Sequence, residues 1–544
     1  MKNVMYIFND AGFGGAGQSL LDTLAEIRND VNPIIIIRDD ADVENQFITL
    51  GVRCYKIKFL ADYVKIGSAN ADKRVCDIKQ SYEAAQQLVP IIKKENIQLI
   101  HINSSVSYFA AIAALMAGIP YIWHIRELME EQFGCEFLNE ELKKSLYKKA
   151  NKIITISDYV QEKHCKKIEL ETVRLYNGIN IRKFKQKIET KDQFEKTFIV
   201  TAMITPEKGQ WNVIQATERL VKRGHTDIKV IIVGGGAATY VWALKKYVKK
   251  NHLEKNVFIL PFQDDLSALR SQTSYAITSS QNEALGRVTI EAMLAGNVVI
   301  GAASGGTIEI IGENEERGFL YKLGDSESLA DTMEQVIALS SDTKNEIIKR
   351  AQQYAENTFD SKQYCKKLIN IYDEIVRTFE RYDDSAFLNA IREYYESVKD
   401  IEDADEKNKR ISYMKSASVL EPVLKWLEIR QKGHSLKEYF RSNNIRSIAV
   451  YGMGILGCRF YDELEDSDIE IKYLIDRNPN GMDKVLEFVS LDNEKIDVSA
   501  IVVTVISQER QIINEILMRG YRKVIGLSEI INSIEVNGGY LDGQ

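Results

Sequence analysis

Short apolar runs that alternate with longer helical patterns are the feature of this sequence that most restricts its fold. Runs rich in β-branched residues, such as VMYIF at 4–8, PIIII at 33–37 and KIITIS at 152–157, are apolar on both faces. Such runs are typical of parallel strands that lie buried between helices, since crossover helices cover both faces of a parallel sheet. The alternation therefore predicts parallel α/β sheets.

The alternation is interrupted twice, and the interruptions divide the chain. A polar, lysine-rich stretch at 177–195 precedes a second set of runs, and a charged stretch at 383–409 precedes a third set. At 544 residues, the chain is also too long for one core. We therefore predict a first α/β domain, a second α/β domain, a helical linker and a smaller third α/β domain, at residues 1–185, 186–363, 383–440 and 441–544. We expect the helix at 364–382 to pack back on the first domain.

Composition excludes several classes of protein. The net charge of -7 gives no sign of the basic face that nucleic-acid binding needs. The 6 cysteines are scattered without a CxxC pair, as is typical of reduced cytosolic thiols. The most apolar stretch, 108–123, is interrupted by Gly118 and Pro120 and is shorter than the about 20 residues that span a bilayer. The first residues are typical of a buried strand rather than a signal peptide. These features predict a cytoplasmic protein.

The segment NEALGRVTIEAMLAG at 282–296 is the strongest candidate for a binding site. It follows the apolar run YAITSS, so it lies at the carboxyl edge of a strand, where open α/β sheets bind ligands. We predict a helix that begins at Leu285-Gly286, with Glu283 just outside it and Glu291 two turns within it. Free amides at the start of that helix attract anions, and the predicted amides are those of Ala284, Leu285 and Gly286. Spacing alone leaves a capped helix with an ordinary surface glutamate as the alternative.

Residues 1–380 resemble glycosyltransferase family 4, the retaining enzymes of the GT-B fold related to glycogen and sucrose synthases. The glutamates eight positions apart match the family's pair, and GGTIEII at 305–311 resembles its glycine pair followed by glutamate. By this resemblance, Glu283 contacts the donor sugar and Glu291 contacts the ribose hydroxyls. The resemblance implies an α/β GT-B fold of two Rossmann-like domains that face a cleft, here followed by a third, smaller Rossmann-like domain.

TPEKGQ at 205–210 resembles the family's phosphate-binding loop, in which Lys208 pairs with the donor diphosphate. Most members carry an arginine shortly before this lysine, where Met203 stands in this chain. Arg287, at the start of the predicted helix, is our candidate for the missing charge, and a solvent-facing arginine is the alternative. The departure at Met203 also leaves open a catalytically weakened nucleotide-sugar-binding or assembly module.

Two motifs of the first domain also match the resemblance. GFGGAGQS at 12–19 follows the first strand and opens a helix, and its glycines allow close approach of a phosphate. In the family this loop lies over the donor diphosphate and the acceptor, with Gly14 and Gly15 as the expected contacts. WHIRE at 123–127 ends a strand, where a histidine most often serves packing, but the resemblance implies that His124 is catalytic. Arg126 and Glu127 are expected to bind acceptor or to pair with each other.

The resemblance implies a hexosyl transfer that retains the anomeric configuration, with Lys208, Glu283 and His124 as catalytic residues. Lys208, Arg287 and the helix-end amides would stabilise the leaving diphosphate. We expect no metal or other cofactor, because no strong Asp-x-Asp metal motif accompanies a strand end. The expected substrates are a UDP- or GDP-sugar and a glycan, lipid-linked or protein acceptor in bacterial surface polysaccharide or glycoconjugate synthesis. The family-specific loops argue against a sugar-nucleotide epimerase of the same fold.

A lysine-rich segment raises the question of a membrane. ELKKSLYKKANK at 141–152 predicts a helix with lysines at 143, 144, 148, 149 and 152. A solvated helix face is the favoured interpretation. The alternative is peripheral contact with the anionic inner face of a membrane, where each lysine contributes roughly 1 kcal/mol.

The third domain carries its own glycine motif. A strand, the pattern G-x-G-x-x-G at Gly452, Gly454 and Gly457, and a helix follow one another from residue 447. A second strand ends at Asp476, which suits the ribose contact of a Rossmann fold. We favour a Rossmann-like domain for oligomerisation, partner assembly or acceptor positioning, with a second nucleotide site as the alternative. The acidic DADE at 403–406 is interpreted as a solvated helix face rather than a metal site.

Overall fold

A computed structural model describes residues 1–534, apart from 10–13, 166–170, 187–195, 382, 400–421, 424, 428 and 493–495. The chain forms two compact units. The first comprises residues 1–202, 207–233 and 256–404, and the second comprises 203–206, 234–255 and 405–544. The DADE segment at 403–406 lies outside the described residues.

The first unit begins with a seven-stranded parallel sheet of order β3-β2-β1-β5-β6-β8-β9. Its strands consist mostly of buried aliphatic residues, as a sheet covered on both faces requires. The strands are β1 (Lys2–Ile7), β2 (Val31–Arg38), β3 (Arg53–Ile57), β5 (Leu99–Ile102), β6 (Tyr121–Ile125), β8 (Lys152–Thr155) and β9 (Val173–Arg174), and a small antiparallel pair is formed by β4 (Tyr63–Lys65) and β7 (Cys135–Phe137).

Helices connect these strands, as the alternation in the sequence predicts. They are α1 (Gly15–Ile27), α2 (Glu44–Ile48), α3 (Ala71–Lys94), α4 (Phe109–Ala117), α5 (Met129–Phe133), α6 (Glu140–Lys149), α7 (Asp158–Val160) and α8 (Ile181–Phe184), with a π-helical turn at Gln161–Cys165.

A second, six-stranded parallel sheet in the same unit has the order β12-β11-β10-β13-β14-β15. Its strands are β10 (Thr197–Thr201), β11 (Lys229–Val233), β12 (Val257–Leu260), β13 (Tyr275–Thr278), β14 (Val298–Ala302) and β15 (Phe319–Tyr321). Its helices are α9 (Gln210–Lys222), α11 (Ser267–Ser271), α12 (Arg287–Leu294), α13 (Gly306–Ile311), α14 (Ser326–Ile337) and α15 (Ser341–Phe359), whereas α10 (Ala238–Lys250) belongs to the second unit.

Helix α16 (Ser361–Thr378) packs on α1, beside the first sheet. Tyr364, Leu368 and Tyr372 enter the core formed by the buried face of β1 and α1. The hydroxyls of Tyr372 and Tyr6 lie 3.1 Å apart within this core. Helix α17 (Ser385–Val398) follows. The helix that we place at 364–382 therefore spans 361–378 and lies against the first sheet's helices.

The second unit contains a four-stranded parallel sheet of order β17-β16-β18-β19. Its strands are β16 (Ser447–Tyr451), β17 (Glu470–Ile475), β18 (Ala500–Val503) and β19 (Val524–Gly526), and its further helices are Lys437–Ser442, Ile455–Leu464, Glu509–Met518 and Leu527–Ser533. Helix α10 packs on the helix Ile455–Leu464. There the indole of Trp242 donates to Asp462 (2.8 Å), and Lys246 pairs with Asp462 and Glu465.

The lysine-rich segment does not form the uniformly basic, exposed helix face that its sequence predicts. It ends at Lys149, and Lys152 begins β8. Lys143 is buried, with its ammonium 2.9 Å from Asp62 and 3.4 Å from the centroid of the Phe137 ring. Lys144 and Lys149 pair with carboxylates. Tertiary packing thus removes Lys143 from the surface, because its aliphatic stem and paired charge fit among aromatic rings.

Among the described residues, we find no helix that combines the length and the apolarity needed to cross a membrane.

Candidate active site

The segment 282–296 lies at the carboxyl edge of the second sheet, after β13, as predicted. The helix begins later than expected, at Arg287, because Gly286 has a left-handed φ of +95° and serves as its N-cap. Of the three amides assigned to the helix start, only that of Gly286 lies there. Ala284 and Leu285 precede the helix as buried residues. The predicted start was therefore wrong by two residues, since a positive φ ends helical geometry.

Lys208 and Glu283 meet at this edge. The Lys208 ammonium lies 2.5 Å from Oε1 of Glu283. Gly209 follows with φ +70°, and a side chain there would lie 2.2 Å from the carbonyl oxygen of Ser279. The hydroxyl of Ser279 donates to the Lys208 carbonyl at 2.7 Å. Glycine is thus required for this turn, which holds the lysine beside the glutamate. The preceding Met203 is 65% exposed and belongs to the second unit.

The glycine pair of GGTIEII packs directly on the segment. A Cβ on Gly305 would lie 2.4 Å from the Glu283 carbonyl oxygen, and one on Gly306 would lie 2.7 Å from the Cα of Leu285. The Gly306 amide donates to the Glu283 carbonyl at 2.7 Å. Only residues without side chains can approach this closely. The pair therefore supports the backbone of Glu283.

Glu309, in the same motif, points to the start of α7. Its carboxylate accepts from the backbone amides of Asp158 (3.1 Å) and Tyr159 (2.6 Å) and from the Tyr176 hydroxyl (3.2 Å). Burial raises the pKa of this carboxyl. Glu309 thereby joins loops of the two sheets within the first unit, and so does the hydrogen bond from the Ser157 hydroxyl to the Ala284 carbonyl.

Glu291 and Arg287 belong to a chain of four charged side chains. Nη2 of Arg270 lies 2.7 Å from Oε2 of Glu291, and Nε of Arg287 lies 2.8 Å from Oε1. Nη2 of Arg287 also lies 2.5 Å from Asp22 on α1. Arg287 is therefore not the solvent-facing residue of the alternative interpretation, because its guanidinium lies between two carboxylates. The sequence analysis missed Arg270, since no motif marks it.

The glycine loop of the first domain is described only from Gly14 onward. Residues 10–13, which form its start, lie outside the described residues. Gly14 is the N-cap of α1 and Gly15 its first residue, and a Cβ on either would meet no described atom within 4 Å.

His124 lies within β6 and is fully buried. Its Nδ1 lies 3.2 Å from Nε2 of His101, whose Nδ1 is 2.5 Å from the Tyr372 hydroxyl. Burial, with the nearby Arg126 charge, holds the pKa of both imidazoles well below the usual value. Both rings are thus neutral. Nε2 of His124 is buried, with no hydrogen-bonding partner among the described residues. Its catalytic role remains a prediction.

Arg126 and Glu127 follow β6 and do not pair with each other. Arg126 is 5% exposed and donates to Asn103, Ser19 and Asn177. Glu127 instead accepts from the hydroxyl of Ser104 and from the amide and hydroxyl of Ser105. The two neighbours are therefore directed to separate hydrogen-bonding networks.

The glycine motif of the second unit has the geometry of a tight strand–helix turn. Gly452 has φ +98°, and a Cβ on Gly457 would lie 2.1 Å from the Gly452 carbonyl oxygen, while a Cβ on Gly454 would meet no described atom within 4 Å. The carboxylate of Asp476 accepts from the Met453 amide at 2.6 Å and from the Asn478 amide at 2.8 Å. The Asp476 carboxylate therefore serves to hold the backbone of these loops.

Comparisons with known proteins agree with this architecture. Residues 13–183 match the family described as Glycosyltransferase Family 4, and residues 181–354 match Glycosyl transferases group 1. The chain is 24% identical over 308 residues to N-acetyl-alpha-D-glucosaminyl L-malate synthase of Bacillus anthracis, a match that covers 54% of this chain and 79% of that protein.

Two solved structures share the fold over about two thirds of the chain. Anabaena Alr3699/HepE in complex with UDP and glucose has a TM-score of 0.57 and 21% identity, covering 69% of this chain and 100% of that one. A mutant of S. aureus TarM in complex with Fondaparinux, alpha-GlcNAc-glycerol and UDP has a TM-score of 0.53 and 14% identity, covering 68% and 100%. Through residues 13–354, the chain belongs to the family 4 glycosyltransferases and has their GT-B fold.

Proposed function

We propose that this glycosyltransferase moves a hexose from a UDP-sugar to an acceptor hydroxyl and retains the anomeric configuration. The observation that carries the proposal is the contact of Lys208 with Glu283 beside the start of α12. Two structural neighbours were solved with UDP bound, which supports uridine diphosphate as the nucleotide. We assign the donor side of the site to residues 186–363 and the acceptor side to residues 1–185.

The ion pair suggests how donor binding would proceed. Lys208 and Glu283 pair with each other, so neither charge is left unpaired. An incoming diphosphate would take over the Lys208 ammonium, and Glu283 would then accept a hydrogen bond from a sugar hydroxyl. Both exchanges replace one charged contact with another, so the net cost of opening the pair is small.

The chemical step would rely on charge stabilisation. As the bond from the anomeric carbon to the diphosphate breaks, negative charge grows on the departing phosphate. Lys208 and the amides at the start of α12 would stabilise that charge without a metal ion. The acceptor hydroxyl would attack from the face that the diphosphate leaves and pass its proton to the departing phosphate oxygen, so that configuration is retained. Glu291 would bind the ribose while Arg270 and Arg287 hold its carboxylate in place.

For the acceptor we propose a glycan, lipid or protein of the bacterial surface. We do not extend the proposal to a membrane-bound helix α6, because Lys143 is buried and Lys144 and Lys149 already pair with carboxylates. For residues 441–544 we propose assembly or acceptor positioning rather than a second nucleotide site. The Asp476 carboxylate, which would bind a ribose, is already taken by the loop amides.

The test is hydrolysis and transfer by the full chain with UDP-glucose, UDP-N-acetylglucosamine, UDP-galactose and GDP-mannose. We expect turnover of a UDP-sugar, with the sugar initially released or transferred in the α configuration by proton NMR. Equilibrium binding should give one UDP per chain. Two UDP per chain would reveal a second nucleotide site. Failure to bind or turn over any donor would support the alternative, a catalytically weakened binding or assembly module.

A further inference from the structure

The carboxyl edge of the first sheet is lined by amides and one guanidinium. Asn9 comes shortly after β1, Asn103 directly follows β5, and Arg126 directly follows β6. These three strands are neighbours in the parallel sheet, so their carboxyl ends meet at one edge. Asn177, a few residues after β9, contacts the same guanidinium at 2.6 Å. This is the edge at which open α/β sheets bind ligands.

Arg126 carries a buried charge for which the described residues supply no carboxylate partner. Nε donates to Oδ1 of Asn103 at 2.9 Å, Nη1 donates to Ser19 (3.2 Å) and Asn177 (2.6 Å), and Nη2 lies 3.3 Å from Nδ1 of His124. Every one of these acceptors is neutral, since burial keeps the imidazole unprotonated by lowering its pKa. Among the described residues, Arg126 takes part in no ion pair, and the adjacent Glu127 is held by Ser104 and Ser105.

The other buried cations of the same unit behave differently. Lys143 pairs with Asp62 at 2.9 Å, and Arg270 pairs with Glu291 at 2.7 Å. A buried charge without a counter-charge is costly, so folded proteins normally pair it. Arg126 therefore departs from the pattern that this unit follows elsewhere. An arginine cannot relieve the cost by losing its proton.

Unused hydrogen-bond donors accompany the charge. A guanidinium has five N–H groups, and the four hydrogen bonds of Arg126 leave one on Nη2. Nδ2 of Asn9 is buried and has no acceptor among the described residues. Because Nδ1 of His124 faces Arg126 and accepts, its proton lies on Nε2, which is also buried and unpartnered in the described chain. Among the described residues, Asn9, His124 and Arg126 thus carry donors without an acceptor, at or near the ends of β1 and β6.

We propose that Arg126 is the centre of a subsite for an anionic group, a carboxylate or a phosphate, carried by the acceptor. The inference rests on the proposed function, in which the donor diphosphate is bound by Lys208 on the other sheet. An N–H of a guanidinium forms a charge-assisted hydrogen bond to an oxygen of a carboxylate or phosphate. Such an acceptor supplies the missing counter-charge and accepts from the free N–H. Within the proposed acceptor classes, the acceptor is therefore an acidic glycan, or a glycan, lipid or protein that carries a phosphate.

The test measures anion binding to the full chain saturated with UDP. Sodium malonate and inorganic phosphate are titrated by calorimetry at constant ionic strength in sodium chloride. We compare wild type, Arg126→Gln and the control Arg74→Gln, which removes an exposed guanidinium from α3. We expect wild type and the control to bind malonate or phosphate equally, and Arg126→Gln to bind it at least tenfold more weakly. The preferred probe distinguishes a carboxylate from a phosphate. Equal binding by Arg126→Gln, or no binding of either probe by wild type, would overturn the proposal.

A second variant covers the case in which Arg126→Gln does not fold. Arg126→Lys keeps the positive charge but replaces the planar guanidinium with a single ammonium group. Malonate affinity is therefore expected to fall several-fold. Unchanged affinity for both probes would contradict the subsite. Acceptor-independent UDP-sugar hydrolysis is measured on the same samples. Absence of hydrolysis by wild type would count against the proposed function, whereas intact hydrolysis with Arg126-independent anion binding would count only against the subsite.

Discussion

The carboxyl edges of the two large sheets have the same backbone architecture and opposite charge arrangements. At the edge of the second sheet, Lys208 pairs with Glu283, and Glu291 pairs with two arginines. At the edge of the first sheet, Arg126 is surrounded by neutral acceptors. The parallel sheet thus supplies a ligand-binding edge in both places, and the side chains alone decide which ligand suits it.

The difference concerns how the charges at each edge are balanced by neighbouring side chains. Paired charges at the second edge cost little without ligand, and a ligand must exchange partners with them. Arg126 has only neutral hydrogen-bonding partners among the described residues, so in the proposed subsite an anion supplies its counter-charge. This contrast fits a donor that brings both a diphosphate and hydroxyls, and an acceptor that brings one anionic group. The following variants test the contrast, from the largest expected effect on activity to the smallest.

Lys208→Met should have the largest effect. It removes the cation that would stabilise the leaving diphosphate, and loss of one such group lowers kcat by about 10²-fold. The measurement is the rate of UDP-sugar hydrolysis by the full chain. Lys222→Met, on the exposed face of α9, is the matched control and should retain the wild-type rate. A Lys208→Met enzyme with more than half of the wild-type kcat would contradict the assignment.

Glu283→Gln should lower turnover at least about tenfold. The substitution replaces a charge-assisted hydrogen bond to the donor sugar, which contributes about 1.5–3 kcal/mol, with a neutral one. Steady-state kinetics on the preferred UDP-sugar measure the effect, and Glu313→Gln in an exposed loop serves as the control. Turnover like that of wild type would refute a role for Glu283 in sugar binding.

Arg287→Ala and Asp22→Asn distinguish two roles for Arg287. If Arg287 holds Glu291 in place, its removal should raise the donor KM about tenfold, and Asp22→Asn should raise it about threefold, because each loses part of a charge-assisted network. If Arg287 serves the diphosphate directly, Asp22→Asn should leave KM unchanged. Donor affinity and turnover unaffected by Arg287→Ala would exclude both roles.

Asp77 belongs to neither edge and should affect stability rather than turnover. Burial, with the neighbouring Asp62 charge, raises its pKa from 3.8 to about 7. The folded state therefore holds this proton more tightly than the unfolded state does, so stability falls as pH rises from about 4 to about 7. Asp77→Asn should flatten that part of the profile in chemical denaturation, while Asp72→Asn, exposed on the same helix, should not. An unchanged slope in Asp77→Asn would contradict the raised pKa.

Much of the architecture could be predicted from local sequence patterns. Buried strands can be recognised in the sequence as apolar runs. The order of strand, loop and helix then indicates where Glu283 and the two glycine-rich strand–helix turns lie. The start of α12 could not be located in this way, because the left-handed φ of Gly286 is a backbone conformation that the hydrophobic pattern does not reveal. Arg270 has no motif, and only folding brings it to Glu291, 21 positions later.

By itself, the sequence determined the class of fold and the segments that form the donor edge, because hydrophobic periodicity and glycine turns are local properties. Only the tertiary structure decided which charges are paired. It placed Arg287 between Asp22 and Glu291 and buried Lys143 beside Asp62. It also left Arg126 among neutral acceptors. Ion pairing depends on distances between residues far apart in the chain, and those distances exist only once the sheets and helices have packed.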